Sequence, residues 1–98
     1  MFLVVHLYIH AGMETAFQEH ERQALRIFRK HGGQVISAFR PTPGDKPQPD
    51  EIHVLEIQSA SHFEAFQNDP ELLTLSELRT RAIRKTEVFV SDKIIDYP

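Results

Sequence analysis

Phe2-Leu3-Val4-Val5-His6-Leu7-Tyr8-Ile9-His10 alternates with period two, placing Leu3, Val5, Leu7 and Ile9 on one face and Phe2, Val4, His6, Tyr8 and His10 on the other. The first face is wholly aliphatic and suits contact with helices. The second mixes apolar with titratable groups, which need polar partners when buried. Downstream, Met13, Ala16, Phe17, Ala24, Ile27 and Phe28 recur at the helical period. His20 falls on that stripe; Glu14, Gln18, Arg22, Arg26 and Arg29 form the solvated side. His31-Gly32-Gly33 stops the helix, because the residue after a C-cap commonly takes positive φ and glycine does so without a Cβ penalty; Gly33 is expected there. Val35-Ile36-Ser37-Ala38-Phe39-Arg40 then reads as a second strand.

The order repeats. Residues 41–50 hold four prolines and a glycine, a composition that supports neither helix nor ladder and reads as a long exposed hairpin loop. Ile52-His53-Val54-Leu55-Glu56-Ile57 is the third strand. Ser61 and Glu64 have capping-box spacing before a short helix with Phe63 and Phe66. Asp69 at an N-cap with Pro70 at N1 starts a further helix, whose stripe runs Leu72, Leu75, Leu78, Ala82. Thr86-Glu87-Val88-Phe89-Val90 is the last strand. The result is an α+β chain of order β-α-β-β-α-β, an antiparallel sheet with helices on one face only. Its uncovered face requires a partner, and a homodimer is expected. The tail residues Ile94, Ile95 and Tyr97 are too apolar for a purely solvated end and are expected to pack on the partner subunit.

Composition excludes several classes. At 98 residues the chain is expected to be one domain, residues 1–98, burying roughly two-thirds of its unfolded surface. Eleven lysines and arginines against 14 acids give a net charge of −3, so no global field favours nucleic acid or an anionic membrane. Without cysteine there is no disulfide, thiol nucleophile or thiolate metal site. The run Phe2-Leu3-Val4-Val5 lacks a basic flank and a long apolar core, and nothing reaches transmembrane length, so a soluble cytoplasmic protein is expected.

Three features carry a family resemblance: the strand-helix-His31-Gly32-Gly33-strand order, Leu55-Glu56-Ile57-Gln58-Ser59, and Phe66-Gln67-Asn68-Asp69-Pro70-Glu71 through to Arg79. Over nearly its whole length the chain resembles the small dimeric α/β-barrel proteins of an uncharacterised domain-of-unknown-function group. That group is itself similar to antibiotic-biosynthesis monooxygenase domains. The resemblance implies a ferredoxin-like protomer whose open sheet face meets its twin's, closing a barrel across the dimer. Members include cofactor-independent oxygenases, isomerases, haem enzymes and proteins without assigned activity. The chain departs from the group at Leu72-Leu73, where relatives tend to carry a tyrosine after the proline, and in the proline-rich loop.

In the ferredoxin-like order the first and third strands are central neighbours, which places His6 and Tyr8 where they can face Glu56. A histidine oriented by a carboxylate acts as a general base near neutral pH, and a tyrosine donates to a developing oxyanion. The parity of the third strand is open, and His53 takes the place of Glu56 if Glu56 faces the other way. Arg40 and Arg79 are candidates to neutralise a small carboxylate at a pocket mouth, Arg79 through the family resemblance. A small-molecule cavity is expected between sheet and helices.

Other chemistries lack support. His6 and His10 share a face but lie roughly 13 Å apart along a strand, and neither helix carries an HxxxH or HExxH pair. A metal would need residues from distant segments, such as His6, His53 and Glu56; none is expected. His20, alone on an apolar helical face, reads as a satisfied core residue rather than a haem ligand. No serine sits in a nucleophile elbow, and Gly32-Gly33 is neither a Walker loop nor a dinucleotide fingerprint, so no nucleotide cofactor is expected. Two function classes follow: a cofactor-independent oxygenase or isomerase of a small organic acid, and a non-catalytic dimeric binding or accessory protein with a structural polar core.

Overall fold

The computed structural model describes residues 1–98. Its elements are β1 (Phe2–Ile9), α1 (Glu14–Lys30), β2 (Gln34–Phe39), β3 (Glu51–Glu56), α2 (Ala60–Gln67), α3 (Pro70–Leu73), α4 (Ser76–Ala82) and β4 (Ile83–Ser91). The strands form one sheet of order β2-β3-β1-β4 with every neighbouring pair antiparallel, as the α+β reading requires. The shortest extent of the molecule is 15 Å, room for a sheet and one layer of helices. No helix is long and apolar enough to cross a membrane.

Strand alternation divides the sheet as expected. Leu3 and Leu7 of β1 are buried beneath the helices with Phe17, Phe28, Leu55, Ile57, Ala82 and Ile83. Ala24 and Ile27 continue the α1 stripe onto Leu75. In β2 the register skips Ile36, so Val35 lies opposite Leu55 on the core side while Phe39 lies opposite Ile52 on the open side. That bulge reverses the parity that alternation alone assigns to Phe39.

The end of α1 differs from the expectation in one residue. Gly32, not Gly33, has positive φ, at 84°. Gly32 N–H donates to Arg29 O and Gly33 N–H to Phe28 O, each at 3.0 Å, which is the Schellman arrangement after a His31 C-cap. Gly33 is required for a different reason: a Cβ there would overlap the buried ring of Phe28.

Two helix starts also resolve. The α2 N-cap is Ser59 rather than Ser61; its Oγ accepts from His62 N–H at 3.3 Å. Asp69 caps α3 as expected, accepting from Glu71 N–H at 2.8 Å. The helix that follows does not run unbroken to Ala82. The Thr74 hydroxyl donates to Glu71 O at 2.6 Å, a local alternative to the helical ladder, and the chain restarts as α4 at Ser76.

Asp69 also fastens α1 to the α2–α3 junction. Lys30 Nζ lies 2.8 Å and His31 Nε2 2.7 Å from Asp69 Oδ2, and Glu71 pairs with Arg26 and Lys30. The Lys30 hydrogen bond first, then those from His31 and the Glu71 N–H, hold the Asp69 carboxyl well below the usual carboxylate range. Arg26 and Lys30 likewise lower Glu71. A carboxyl lowered on folding adds stability above its unfolded pKa, about 3.9 for aspartate, and that stability is lost as pH falls toward the folded value. Asp69→Asn should therefore have a lower urea midpoint than the native chain at pH 7, with the two curves converging below about pH 4. Parallel curves down to pH 2 would show that the ion cluster does not contribute.

Candidate functional site

Two polar clusters occupy opposite faces of the sheet. On the open face, the Tyr8 hydroxyl donates to Glu87 Oε1 at 2.9 Å and His6 Nδ1 lies 3.5 Å from the same oxygen. The hydrogen bond to Glu87 and its charge push the Tyr8 pKa up, and Tyr8 in turn lowers Glu87. Tyr8 thus stays a donor. Arg84 and Lys85 lie over its ring at 5.3 and 5.1 Å, and Phe89 stands edge-on to His6 at 5.3 Å.

Glu56 does not join this cluster. Register places Glu56 opposite Phe2 and Ile52 opposite His6, so the two expected partners lie roughly 13 Å apart on the open face. The carboxylate across from His6 is Glu87 of β4, which sequence reading missed because strand register is set by tertiary pairing. Glu56 instead edges a shallow polar depression of about 300 Å³ with Gly32, Gln34 and Gln58.

The second cluster lies between the sheet and the helices. There a pocket of about 420 Å³ is walled by Val5, Leu25, Leu55, Phe63, Phe66 and Leu72, and carries His20, Glu21, His53 and Arg79 among its lining residues. His53 faces inward and is 3% exposed, which settles the parity of β3: His53, Leu55 and Ile57 point to the helices. His20 Nδ1 is 2.8 Å from Glu21 Oε2, and Glu21 Oε1 is 3.8 Å from His53 Nδ1. His53 Nε2 is 2.6 Å from Glu51 Oε2, and Glu51 Oε1 accepts from Arg40 Nε at 3.0 Å. Arg40 also bonds Glu14. The chain of contacts runs Arg40, Glu51, His53, Glu21, His20, from the start of the proline-rich loop into the pocket.

The sequence-derived candidates therefore separate into groups. His53 and Arg79 line one pocket. His6 and Tyr8 meet on the other face, with Glu56 distant on that same face. Arg40 does not line the pocket; both of its carboxylate partners push its guanidinium pKa further up, and it braces Glu51 rather than standing free for an anion. Arg79 Nη2 donates only to a neutral partner, Thr86 Oγ1, at 3.1 Å, so its charge is available at the pocket wall.

His20 corrects a second expectation. It is buried at 5% exposure, yet only half satisfied: Nδ1 is bonded and Nε2 has no hydrogen-bond partner. The missed residue beside it is Glu21. Its signal was indirect, since a histidine on an apolar stripe must find a partner and the nearest acid in the chain is the next residue. No three His, Asp or Glu side chains converge in a metal-binding arrangement. Chemically, a buried histidine held by a carboxylate, in an apolar pocket whose lining also includes an arginine, supports proton transfer to or from a bound anion.

Sheet order, one-sided helices and the pocket beneath them define a ferredoxin-like α+β protein. The chain belongs to the family described as Domain of unknown function (DUF1330), whose model matches residues 1–92. No curated protein matches it. Among solved structures, it is similar to a protein of unknown function from Rhodopseudomonas palustris, at 15% identity over 97% of this chain and 82% of that one, with a TM-score of 0.81. It is also similar to a DABB family protein with a ferredoxin-like fold from Mesorhizobium loti, at 13% identity, 90% of each chain and a TM-score of 0.66. A third similar structure is SnoaB, a cofactor-independent oxygenase from Streptomyces nogalater, at 12% identity over 98% of this chain and 96% of that one, TM-score 0.67. At these identities the likeness is one of fold.

Proposed function

We propose that the chain forms a homodimer through its open sheet face and that each protomer binds a small, largely apolar organic acid in the pocket between sheet and helices. The observation that carries this reading is the joint presence, in the lining of one apolar pocket, of Arg79, which forms no ion pair, and the carboxylate-held His20. Arg79 neutralises the acid; His20 exchanges a proton with it. Proton removal is a first step that cofactor-independent oxygenation and isomerisation share, and the fold likeness to SnoaB supports that class. This reading moves the base from His6 to His20 and leaves the His6, Tyr8 and Glu87 cluster to fix dimer register.

Surface area supports the dimer. The chain exposes 6680 Å², whereas a folded monomer of 11.3 kDa exposes about 5,700 Å². Exposed apolar residues include Phe39 and Phe89, half exposed on the open face, and Ile94, Ile95 and Tyr97 in the tail. A stable interface takes about 800 Å² from each partner.

Calorimetric titration with 2-naphthoic acid tests the site. For a ligand of that size a Kd on the order of 10–100 µM is expected, at roughly 0.4–0.5 kcal/mol per non-hydrogen atom. Arg79→Gln should weaken it about five- to tenfold. Leu72→Trp, which narrows the pocket, should abolish it. Absence of binding to the native chain, or equal binding by all three proteins, would refute the assignment.

A further inference from the structure

The pocket's polar groups are unevenly distributed, and this asymmetry specifies more than an acid. His20 Nδ1 lies against the Glu21 carboxylate, so Nδ1 carries a ring proton, and in that tautomer Nε2 is an acceptor. That acceptor is buried with no partner, an uncommon and unfavourable condition in a folded protein. Glu21 and Glu51 flank His53 in the same region, which disfavours a further anion there and favours a neutral donor.

Arg79 is placed elsewhere in the pocket. Its guanidinium bonds Thr86 of β4, and Thr86 lies opposite Leu7, while His53 of β3 lies opposite Val5. Thr86 and His53 are thus on either side of β1, two strand spacings across and two residues along, roughly 12 Å apart. The rest of the lining is largely apolar and includes the aromatic side chains of Phe28, Phe63 and Phe66.

We infer that the ligand carries a hydroxyl that donates to His20 Nε2, at the far end of a flat apolar body from a carboxylate paired with Arg79: a hydroxyaryl carboxylic acid. This rests on the reading of the pocket as an acid-binding site. Nε2 is covered in the free protein, so the hydroxyl reaches it only as the side chains over it move aside. A two-ring framework spans the separation and loses little conformational entropy on binding.

The experiment is a calorimetric comparison of 2-naphthoic, 6-hydroxy-2-naphthoic and 6-methoxy-2-naphthoic acids. With the native chain the hydroxy acid should bind about tenfold tighter than 2-naphthoic acid, and the methoxy acid, which has no donor, no tighter. In His20→Leu the hydroxyl advantage should vanish. Arg79→Gln should weaken all three acids alike and preserve the advantage. If His20→Leu fails to fold, His20→Gln retains a polar side chain and should cut the ratio to about three or less. Equal affinity for the hydroxy and plain acids, or an advantage that survives loss of His20, overturns the inference and leaves the acid site standing. Failure of all three acids to bind overturns both.

Discussion

Gly33→Val should lower folding stability by about 2–3 kcal/mol, the upper part of the range for overpacking a closed core. For a chain of this length that is a large share of the total, and a loss of roughly 10–20 °C in Tm. The cause is steric. Gly33 is the buried C″ residue of the α1 stop and its Cα faces the ring of Phe28, itself 1% exposed and packed against Leu3, Leu55 and Ile57. Any Cβ must displace that ring. Gly32 provides the contrast: it needs a positive φ of 84°, but a Cβ there meets only the Gln58 side chain, at 3.6 Å. Gly32→Ala should therefore cost about 1 kcal/mol through backbone strain, less than Gly33→Ala. Urea midpoints of the three variants check the order; a Gly32→Ala loss equal to or larger than that of Gly33→Ala would contradict the packing argument.

The second large effect concerns association. Phe89 lies on the open face beside His6, and is 55% exposed in the protomer, so replacing it leaves the helix-side core untouched. In the proposed dimer it is buried twice, once from each subunit. An aromatic anchor contributes 2 kcal/mol or more per copy, so Phe89→Glu should raise the dimer Kd by roughly a thousandfold. Sedimentation at micromolar concentration should show a dimer for the native chain and a folded monomer for the variant. A native monomer under those conditions would remove the barrel.

Alternation and helical period made the element order legible. Leu3 and Leu7, Phe17 and Phe28, and Asp69-Pro70 each declare a face or a start through local chemistry. Partnerships across the sheet were not legible, because they depend on register. Nothing local to Tyr8 or His6 indicates that Glu87 rather than Glu56 lies opposite, and nothing local to Val35 announces the bulge at Ile36. His53 illustrates the limit: with Ile52, Val54 and Glu56 on one side and His53, Leu55 and Ile57 on the other, both faces carry apolar residues and one ionisable group. Only the burial of Leu55 and Ile57 beneath the helices, with His53 against Glu21 of α1, decides it. The pocket follows from the same cause. Its place between sheet and helices was foreseeable from one-sided helix cover, but the histidine assigned to it was not, since His20 and His53 come from α1 and β3 and meet only through Glu21.

Methyl-resolved NMR of the protein saturated with 2-naphthoic acid shows whether the ligand occupies the pocket. Intermolecular contacts should appear from the ring protons to the methyls of Leu3, Leu25, Leu55 and Leu72, which line the pocket. Contacts instead to Val4, Ile52 and Val54, which lie with His6 and Tyr8 on the open face, would place the ligand on the wrong side of the sheet and contradict the account.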